Sequence, residues 1–126
     1  MNGLLLDTHV LLWWLADNPR LPKEIRTRIA DPDSLIFVSA ASIWEIGIKR
    51  AIGKLEAPAE LVTIVQDEGF LGLPMELLHA QTASLLPPHH RDPFDRMLIA
   101  QSMLEQLTVV TADRRFELYE VRMLRA

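Results

Sequence analysis

Two patterns of hydrophobic and polar residues alternate along the chain: short apolar runs, and longer segments with apolar residues at helical intervals. Short apolar runs such as SLIFVS (34–39) and LTVVT (107–111), rich in β-branched residues, are typical of buried strands. The longer segment SAASIWEIGIKRAIG (39–53) has apolar residues at helical intervals, which indicates an amphipathic helix that stops at Gly53. Short apolar strands separated by such helices predict an α/β domain with a mostly parallel sheet.

The same patterns divide the rest of the chain. Further strands are predicted at GLLLD (3–7), FLGLP (70–74) and, as a last edge strand, VRML (121–124). Further helices are predicted at THVLLWWLA (8–16), PKEIRTRIA (22–30), APAELVTIVQDEG (57–69), MELLHAQTASLL (75–86) and PFDRMLIAQSMLEQ (93–106). No linker, repeat or low-complexity tract interrupts them, so residues 1–126 are predicted to form a single domain.

Composition and charge narrow the classes of function. The 126 residues include no cysteine, which excludes disulfides and a thiolate zinc site. The net charge of −4 argues against nucleic-acid binding by bulk charge, although it leaves room for a local basic rim. The N-terminal apolar run lacks a basic segment and is interrupted by Asp7 and His9, unlike a signal peptide. No uncharged apolar stretch reaches the roughly 18 residues of a membrane span, so we expect a cytoplasmic protein.

Four acidic residues fall where parallel strands are predicted to end. Asp7 follows the first strand, Asp113 comes shortly after LTVVT, and Glu45 lies near the start of the helix after SLIFVS. Asp95 is in the first turn of the helix that leads into LTVVT. Ligands of open parallel sheets bind beyond the carboxyl ends of the strands, so the four side chains are expected at one edge of the sheet.

Each of these acids also has an ordinary structural interpretation. Asp7 could cap the following helix, and Asp113 could be a turn residue. Glu45 could complete a capping box with Ser42. In RDPFDR (91–96), Asp92 has the position of an N-cap before a proline, and Asp95 that of an acid facing the helix dipole. No one of these acids indicates a functional site by itself. The interpretation as a site rests on all four being expected at the same edge of the sheet.

Four like charges at one edge of a sheet destabilise the fold unless a cation neutralises them. Carboxylates without cysteine or well-spaced histidines suit an oxygen-preferring cation, Mg²⁺ or Mn²⁺, better than zinc. The adjacent pair His89 and His90 lies in a loop of prolines and is expected to be exposed rather than to ligate a metal. The tryptophans on apolar helix faces are expected in the core or in a dimer interface rather than as base-stacking platforms; they are Trp13, Trp14 and Trp44.

Four blocks of sequence together resemble the PIN domain, and most closely the VapC-type toxins of bacterial toxin–antitoxin pairs. The blocks are LLLDTHVLLWWL, VSAASIWEIGIK, RDPFDRMLIAQS and VVTADRRF, in that order along nearly the whole chain. The resemblance implies a three-layer α/β/α fold with a mostly parallel sheet of four to five strands. It also implies a metal-dependent ribonuclease site, a homodimer, and silencing by a cognate VapB-type antitoxin whose tail enters the active-site groove.

Matched position by position, the resemblance gives Asp7, Glu45, Asp95 and Asp113 the role of catalytic and metal-binding acids, and leaves Asp92 as the helix cap. Thr8 and Thr111 match hydroxyl positions beside the site. Many family members carry asparagine where this chain has His9, so the resemblance assigns His9 no role.

Basic residues flank the acidic blocks and could hold an RNA backbone while metal ions take the scissile phosphate. They are Lys49, Arg50, Arg91, Arg96, Arg114 and Arg115. A solvated rim that pairs with the nearby acids explains the same charges equally well. Other functions stay open at this stage: a PIN-like domain acting on DNA, or a non-catalytic module that binds nucleic acid or protein. Phospho-acceptor α/β domains fit less well, because DTH (7–9) lacks the second aspartate that a haloacid-dehalogenase-like phosphatase needs.

Overall fold

The computed structural model describes residues 3–126 and has five parallel strands with helices on both faces of the sheet. The strands are β1 Gly3–Leu6, β2 Leu35–Ser39, β3 Leu71–Leu73, β4 Thr108–Thr111 and β5 Arg122–Arg125. The helices are α1 Thr8–Leu15, α2 Lys23–Ala30, α3 Ala40–Ala51, α4 Leu61–Asp67, α5 Leu77–Leu85 and α6 Pro93–Glu105, followed by a 3₁₀ turn at Arg114–Leu118. The predicted α/β/α fold is confirmed.

The sheet has the order β3-β2-β1-β4-β5, which places β1 at its centre. Leu4 pairs with Ile36 of β2, and Leu5 pairs with Val109 of β4. The backbone N–H of Asp7 donates to the carbonyl of Val110 at 3.0 Å, which extends the β1–β4 pairing one residue beyond the strand. The residues that follow β1, β2 and β4 therefore meet at one edge of the sheet.

Successive side chains of β1 enter two separate cores, because neighbouring residues of a strand point to opposite faces. Leu4 and Leu6 pack with apolar residues of α1, α2, α3 and α4, whereas Leu5 packs with Leu98 and Ile99 of α6. All of β1 is buried, as its uninterrupted apolar sequence predicts for a central parallel strand. The two cores fix the relative positions of α3 and α6, which carry two of the acids considered above.

The predicted helix ends agree with the structure at several points. Gly53 follows α3 with φ +74°, a left-handed conformation that glycine adopts without steric cost. The last helix, α6, begins with Pro93 and is preceded by Asp92. Across residues 3–126 no helix is long and apolar enough to cross a membrane.

Candidate metal centre

The carboxyl ends of β1 and β4, the first turns of α1 and α6 and the middle of α3 surround a small polar cleft of about 130 Å³. Its lining is Asp7, Thr8, His9, Glu45, Lys49, Asp92, Asp95, Asp113 and Arg115. The fold therefore brings the four acids, which are far apart in sequence, into one cleft. His9 is exposed at this cleft and stacks on Trp13, with ring centroids 6.4 Å apart.

Asp7 is both a helix cap and a member of the cleft. Its Oδ1 accepts the backbone N–H of Val10 at 2.8 Å, which caps α1, and its Oδ2 accepts the hydroxyl of Thr111. The side chain is only 5% exposed. Burial raises the pKa of Asp7 above its usual value, and the hydrogen bonds from Thr111 and Val10 offset part of that effect.

Glu45 is held in the cleft by a hydroxyl and an ammonium group. Thr8 donates to Oε1 at 2.7 Å, and the Nζ of Lys49 lies 2.5 Å from Oε2. The capping box with Ser42 is absent, because Ser39 is the N-cap of α3 and accepts the N–H of Ala41. Glu45 is therefore a buried acid of the cleft, and its hydrogen bond raises the pKa of Lys49.

The two aspartates of RDPFDR have different surroundings. Asp92 is the N-cap of α6, and its Oδ1 accepts the N–H groups of Phe94 at 2.8 Å and of Asp95 at 3.1 Å. Burial, and then the negative charges of Asp92 and the other acids of the cleft, raise the pKa of Asp95 to about 8. The predicted cap is confirmed, and the cleft destabilises the charged form of Asp95.

Asp113 is the most strongly paired of the four acids. Its N–H donates to the hydroxyl of Thr111 at 3.0 Å, and its Oδ1 caps the 3₁₀ turn by accepting the N–H of Arg115. The Arg115 guanidinium also reaches Asp113, with Nη2 2.9 Å from Oδ2. Partial burial alone would raise the pKa of Asp113, but the hydrogen bonds from Arg115 and His90 outweigh it and hold that pKa below its usual value.

His90 is a residue of this site that the sequence pattern misassigned. The expected exposed histidine is 1% exposed, and its Nε2 lies 2.9 Å from Asp95 Oδ2 and 3.0 Å from Asp113 Oδ2. His89 next to it is exposed, as expected, and contacts the ring of Tyr119. A histidine two residues before a helix cap is the signal that could have identified His90, because its ring can accept the cap's backbone N–H.

The basic residues do not form one uniform rim. Arg96 donates to four backbone carbonyls at 2.8–3.1 Å, which engages both terminal nitrogens and argues against its predicted contact with RNA. Lys49 and Arg115 pair with acids of the cleft. Arg91 and Arg114 are exposed, and each is next in sequence to an aspartate of the cleft. They stay candidates for contacting RNA.

The tryptophans also differ from one another. Trp13 and Trp14 are partly buried and pack against the core, as expected. Trp44 is 59% exposed, so it is not a core residue, and it lies edge to face with Phe94 at 5.4 Å. It lines an apolar groove of about 510 Å³ between α3, α4 and β3, which contains none of the four acids.

The donor set of the cleft suits a divalent cation. Asp7 and Glu45 are almost fully buried, and Asp95 has a pKa raised by desolvation and by neighbouring charge. A cation that neutralises this repulsion would stabilise the deprotonated acids, and clustered carboxylate oxygens are the ligands that Mg²⁺ and Mn²⁺ prefer. The nearby ammonium of Lys49 balances only part of the charge.

Comparison with known proteins agrees with this architecture. A curated relative, Ribonuclease VapC22 of Mycobacterium tuberculosis, is 32% identical over 123 residues, covering 91% of this chain and 90% of the relative. The DNA-bound VapBC structure of Salmonella typhimurium superposes with a TM-score of 0.73 at 20% identity, covering 99% and 98% of the two chains. The FitAcB structure of Neisseria gonorrhoeae superposes with a TM-score of 0.64 at 19% identity, covering 96% of each chain.

The PIN domain family model matches residues 4–121, which include β1 from Leu4 onward, β2, β3 and β4, and all four acids of the cleft; the match ends just before β5. The match therefore spans both the fold and the candidate metal centre. This chain belongs to the PIN domain family.

Proposed function

We propose that this chain is an endoribonuclease, the toxin of a toxin–antitoxin pair, that hydrolyses RNA phosphodiester bonds with Mg²⁺ or Mn²⁺. The observation that carries the proposal is the convergence of Asp7, Glu45, Asp95 and Asp113 in one polar cleft. The similarity to Ribonuclease VapC22 over 91% of the chain supports RNA as the substrate.

The four acids are the groups that would hold the metal. A divalent ion bound there supplies Lewis-acid activation of a water molecule and neutralises charge at the scissile phosphate. Thr111 and the backbone of Val10 fix both oxygens of Asp7, and Thr8 and Lys49 fix those of Glu45. These bonds orient the carboxylates before substrate arrives, so little reorganisation is needed when the reaction starts.

The proposed partners follow from the similar structures, which are VapBC and FitAcB complexes. We extend the proposal to a VapB-type antitoxin as the partner that silences this chain. A homodimer is supported by three exposed leucines on α5, since large exposed apolar side chains mark interaction surfaces. They are Leu77, Leu78 and Leu85.

The experiment that tests the proposal is cleavage of total RNA by the purified chain with Mg²⁺, with Mn²⁺ and with EDTA. Asp7→Asn should lower the rate by orders of magnitude, because metal and water are positioned together. Asp67→Asn makes the same chemical change at an exposed residue of α4 and should cut RNA like the unchanged protein. Equal cleavage by Asp7→Asn and the unchanged protein would refute the assignment.

A further inference from the structure

We propose that His90 is a positioning residue of the metal centre, whose Nε2–H group donates to Asp113 Oδ2, lies 2.9 Å from Asp95 Oδ2 and sets the spacing of these two acids. The inference rests on the proposed function only in taking both acids as metal ligands. It gives a buried histidine a role behind the acids of the cleft, and its test measures metal binding rather than RNA cleavage.

The hydrogen-bond pattern assigns the tautomer of His90. Its Nδ1 accepts the backbone N–H of Asp92 at 3.2 Å, so Nδ1 carries no proton. The ring proton of neutral His90 therefore lies on Nε2, which faces the Oδ2 atoms of Asp95 and Asp113. The ligand-capable atoms of the three residues lie within 4.8 Å of one another, but a protonated Nε2 cannot ligate a metal. His90 is therefore a hydrogen-bond donor to Asp113, in contact with Asp95, rather than a metal ligand.

The imidazole is fixed from several directions, which distinguishes it from a histidine that happens to lie near acids. The backbone N–H of His90 donates to Tyr119 Oη at 2.8 Å, and that hydroxyl donates to the carbonyl of Pro87 at 2.6 Å. Arg96 donates to the carbonyl of His90 at 3.0 Å. The ring of Phe116 lies edge to face with the imidazole at 5.8 Å. Backbone and ring are thus held independently of the two acids.

Because the imidazole is anchored, its Nε2–H group can hold Asp113 and Asp95 at a fixed separation. Asp95 comes from the first turn of α6 and Asp113 from the end of β4, so no local geometry ties their carboxylates together. The Nε2–H group, held by the loop before α6, donates to Asp113 Oδ2 and lies against Asp95 Oδ2, while Asp113 Oδ1 accepts N–H groups of Arg115. Donors behind metal ligands orient them, and losing one commonly weakens metal affinity about 10–100-fold.

A second buried histidine provides a matched control. His79 has Nδ1 accepting the N–H of Glu76 at 3.0 Å and Nε2 3.0 Å from Glu105 Oε2, and it is 2% exposed. Glu105 lies ten residues after Asp95 on α6, about 15 Å along the helix axis. Substituting His79 breaks the same kind of histidine–carboxylate contact far from the cleft.

The test compares two substitutions of His90, each of which replaces the hydrogen-bonding group of a different ring nitrogen. His90→Gln can place an amide N–H where Nε2 lies, whereas His90→Asn can replace only the Nδ1 acceptor for the Asp92 N–H. The measurement is the concentration of Mn²⁺, and separately of Mg²⁺, that gives half of the maximal rise in melting temperature, in the absence of RNA. His79→Gln, His79→Asn and His89→Gln are measured in parallel.

We expect His90→Asn to raise the half-saturating metal concentration about 10–100-fold, and His90→Gln to restore most of the affinity. The His79 variants should lower the melting temperature in EDTA without changing the half-saturating concentration, and His89→Gln should change neither. The proposal is overturned if folded His90→Asn binds metal like the unchanged protein, or if His90→Gln and His90→Asn lose affinity equally. If the chain cuts no RNA but this pattern holds, the proposed function fails while the role of His90 stands.

Discussion

Asp92 accepts the backbone N–H of Asp95 at 3.1 Å, so the two aspartates of RDPFDR are cap and capped residue of the same helix. Both line the cleft, and the pKa of Asp95 is raised to about 8. The charge of Asp92 is the second-largest cause of that shift, after burial. Asp92 thus stabilises the start of α6, whereas burial and the neighbouring acids destabilise the charged form of Asp95.

Substituting each aspartate should separate these roles. Asp92→Ala should lower the free energy of unfolding by about 0.5–2 kcal/mol, because two N–H groups of α6 lose their acceptor. Its melting temperature should still rise on addition of Mg²⁺. In Asp95→Asn, metal-free stability should be equal to or higher than in the unchanged protein, because asparagine is neutral at every pH, whereas the carboxyl of Asp95 must either take up a proton above its ordinary pKa or be buried as a charge among other acids.

Thermal melts of both variants in EDTA and in millimolar Mg²⁺ check this prediction, beside an RNA-cleavage assay. The Mg²⁺-dependent rise in melting temperature should shrink in Asp95→Asn, because a ligand stabilises the folded state only in proportion to its affinity. If the Mg²⁺-dependent rise in melting temperature vanishes in Asp92→Ala and persists in Asp95→Asn, then Asp92 is the metal-binding acid and Asp95 is not.

The positions of the four acids could be predicted because each follows from a local feature of the sequence. The uninterrupted apolar runs before Asp7 and Asp113 identify buried parallel strands, and such strands end at one edge of the sheet. Asp92 before Pro93 identifies the start of α6 and therefore the position of Asp95. Periodicity and capping chemistry act over a few residues, which is the range that sequence patterns report.

The long-range partners of His90 and Arg96 could not be assigned in this way, because they depend on the path of a loop. His90 contacts Asp113, 23 residues away, and its backbone contacts Tyr119, 29 residues away. Arg96 donates to carbonyls of the segment that connects α5 to α6, whose conformation no local pattern specifies. Likewise the apolar stripe of α3 placed Trp44 either in the core or in a dimer interface, and its 59% exposure excludes only the core, because the stripe is wider than the surface that the core covers.

The metal-free protein should lose stability as the pH rises from about 4 to about 8. The folded-state pKa of Asp95 is raised from 3.8 to about 8, so in this window the folded protein binds a proton that the unfolded chain has released. The stabilisation that this proton gives is fully present below the pKa of Asp95 in the unfolded chain. It is lost as the pH rises through the pKa of Asp95 in the folded protein. The raised pKa of Asp7 acts in the same direction.

Urea unfolding in EDTA across this pH range measures the effect. Asp95→Asn should flatten the dependence, and the lowered pKa of Asp113 should contribute only at pH values below its ordinary 3.8. Stability that increases across the window, or a slope that Asp95→Asn leaves unchanged, would contradict the assigned pKa of Asp95.

Expression of the chain without a partner should arrest growth if the proposed toxin role holds. Asp95→Asn should restore growth, because it removes a metal-binding acid while leaving the fold intact. Asp67→Asn, at an exposed position of α4, should stay toxic. Growth curves after induction, with soluble protein quantified, provide the measurement. Normal growth with abundant, soluble and active unchanged protein would count against a toxin.

Arg96 and Arg91 should respond oppositely in stability and in RNA binding. Arg96 joins the carbonyls of Ala83, Leu86, Pro87 and His90, so Arg96→Met should cost on the order of 1–3 kcal/mol of stability by leaving charge-assisted bonds unmade. Arg91 is exposed, and Arg91→Met should leave the melting temperature unchanged.

For RNA binding we expect the opposite: Arg91→Met should have an effect and Arg96→Met should not. If Arg91 contacts a phosphate, Arg91→Met lowers the slope of log affinity against log salt concentration by about 1, because one fewer counterion is released. Arg96→Met should keep the original slope wherever it stays folded, since both terminal nitrogens of Arg96 are already engaged. Binding is measured in the Asp95→Asn background so that the RNA stays intact. A reduced slope in Arg96→Met with an unchanged melting temperature would return Arg96 to the RNA-binding surface and exclude its role in holding the loop.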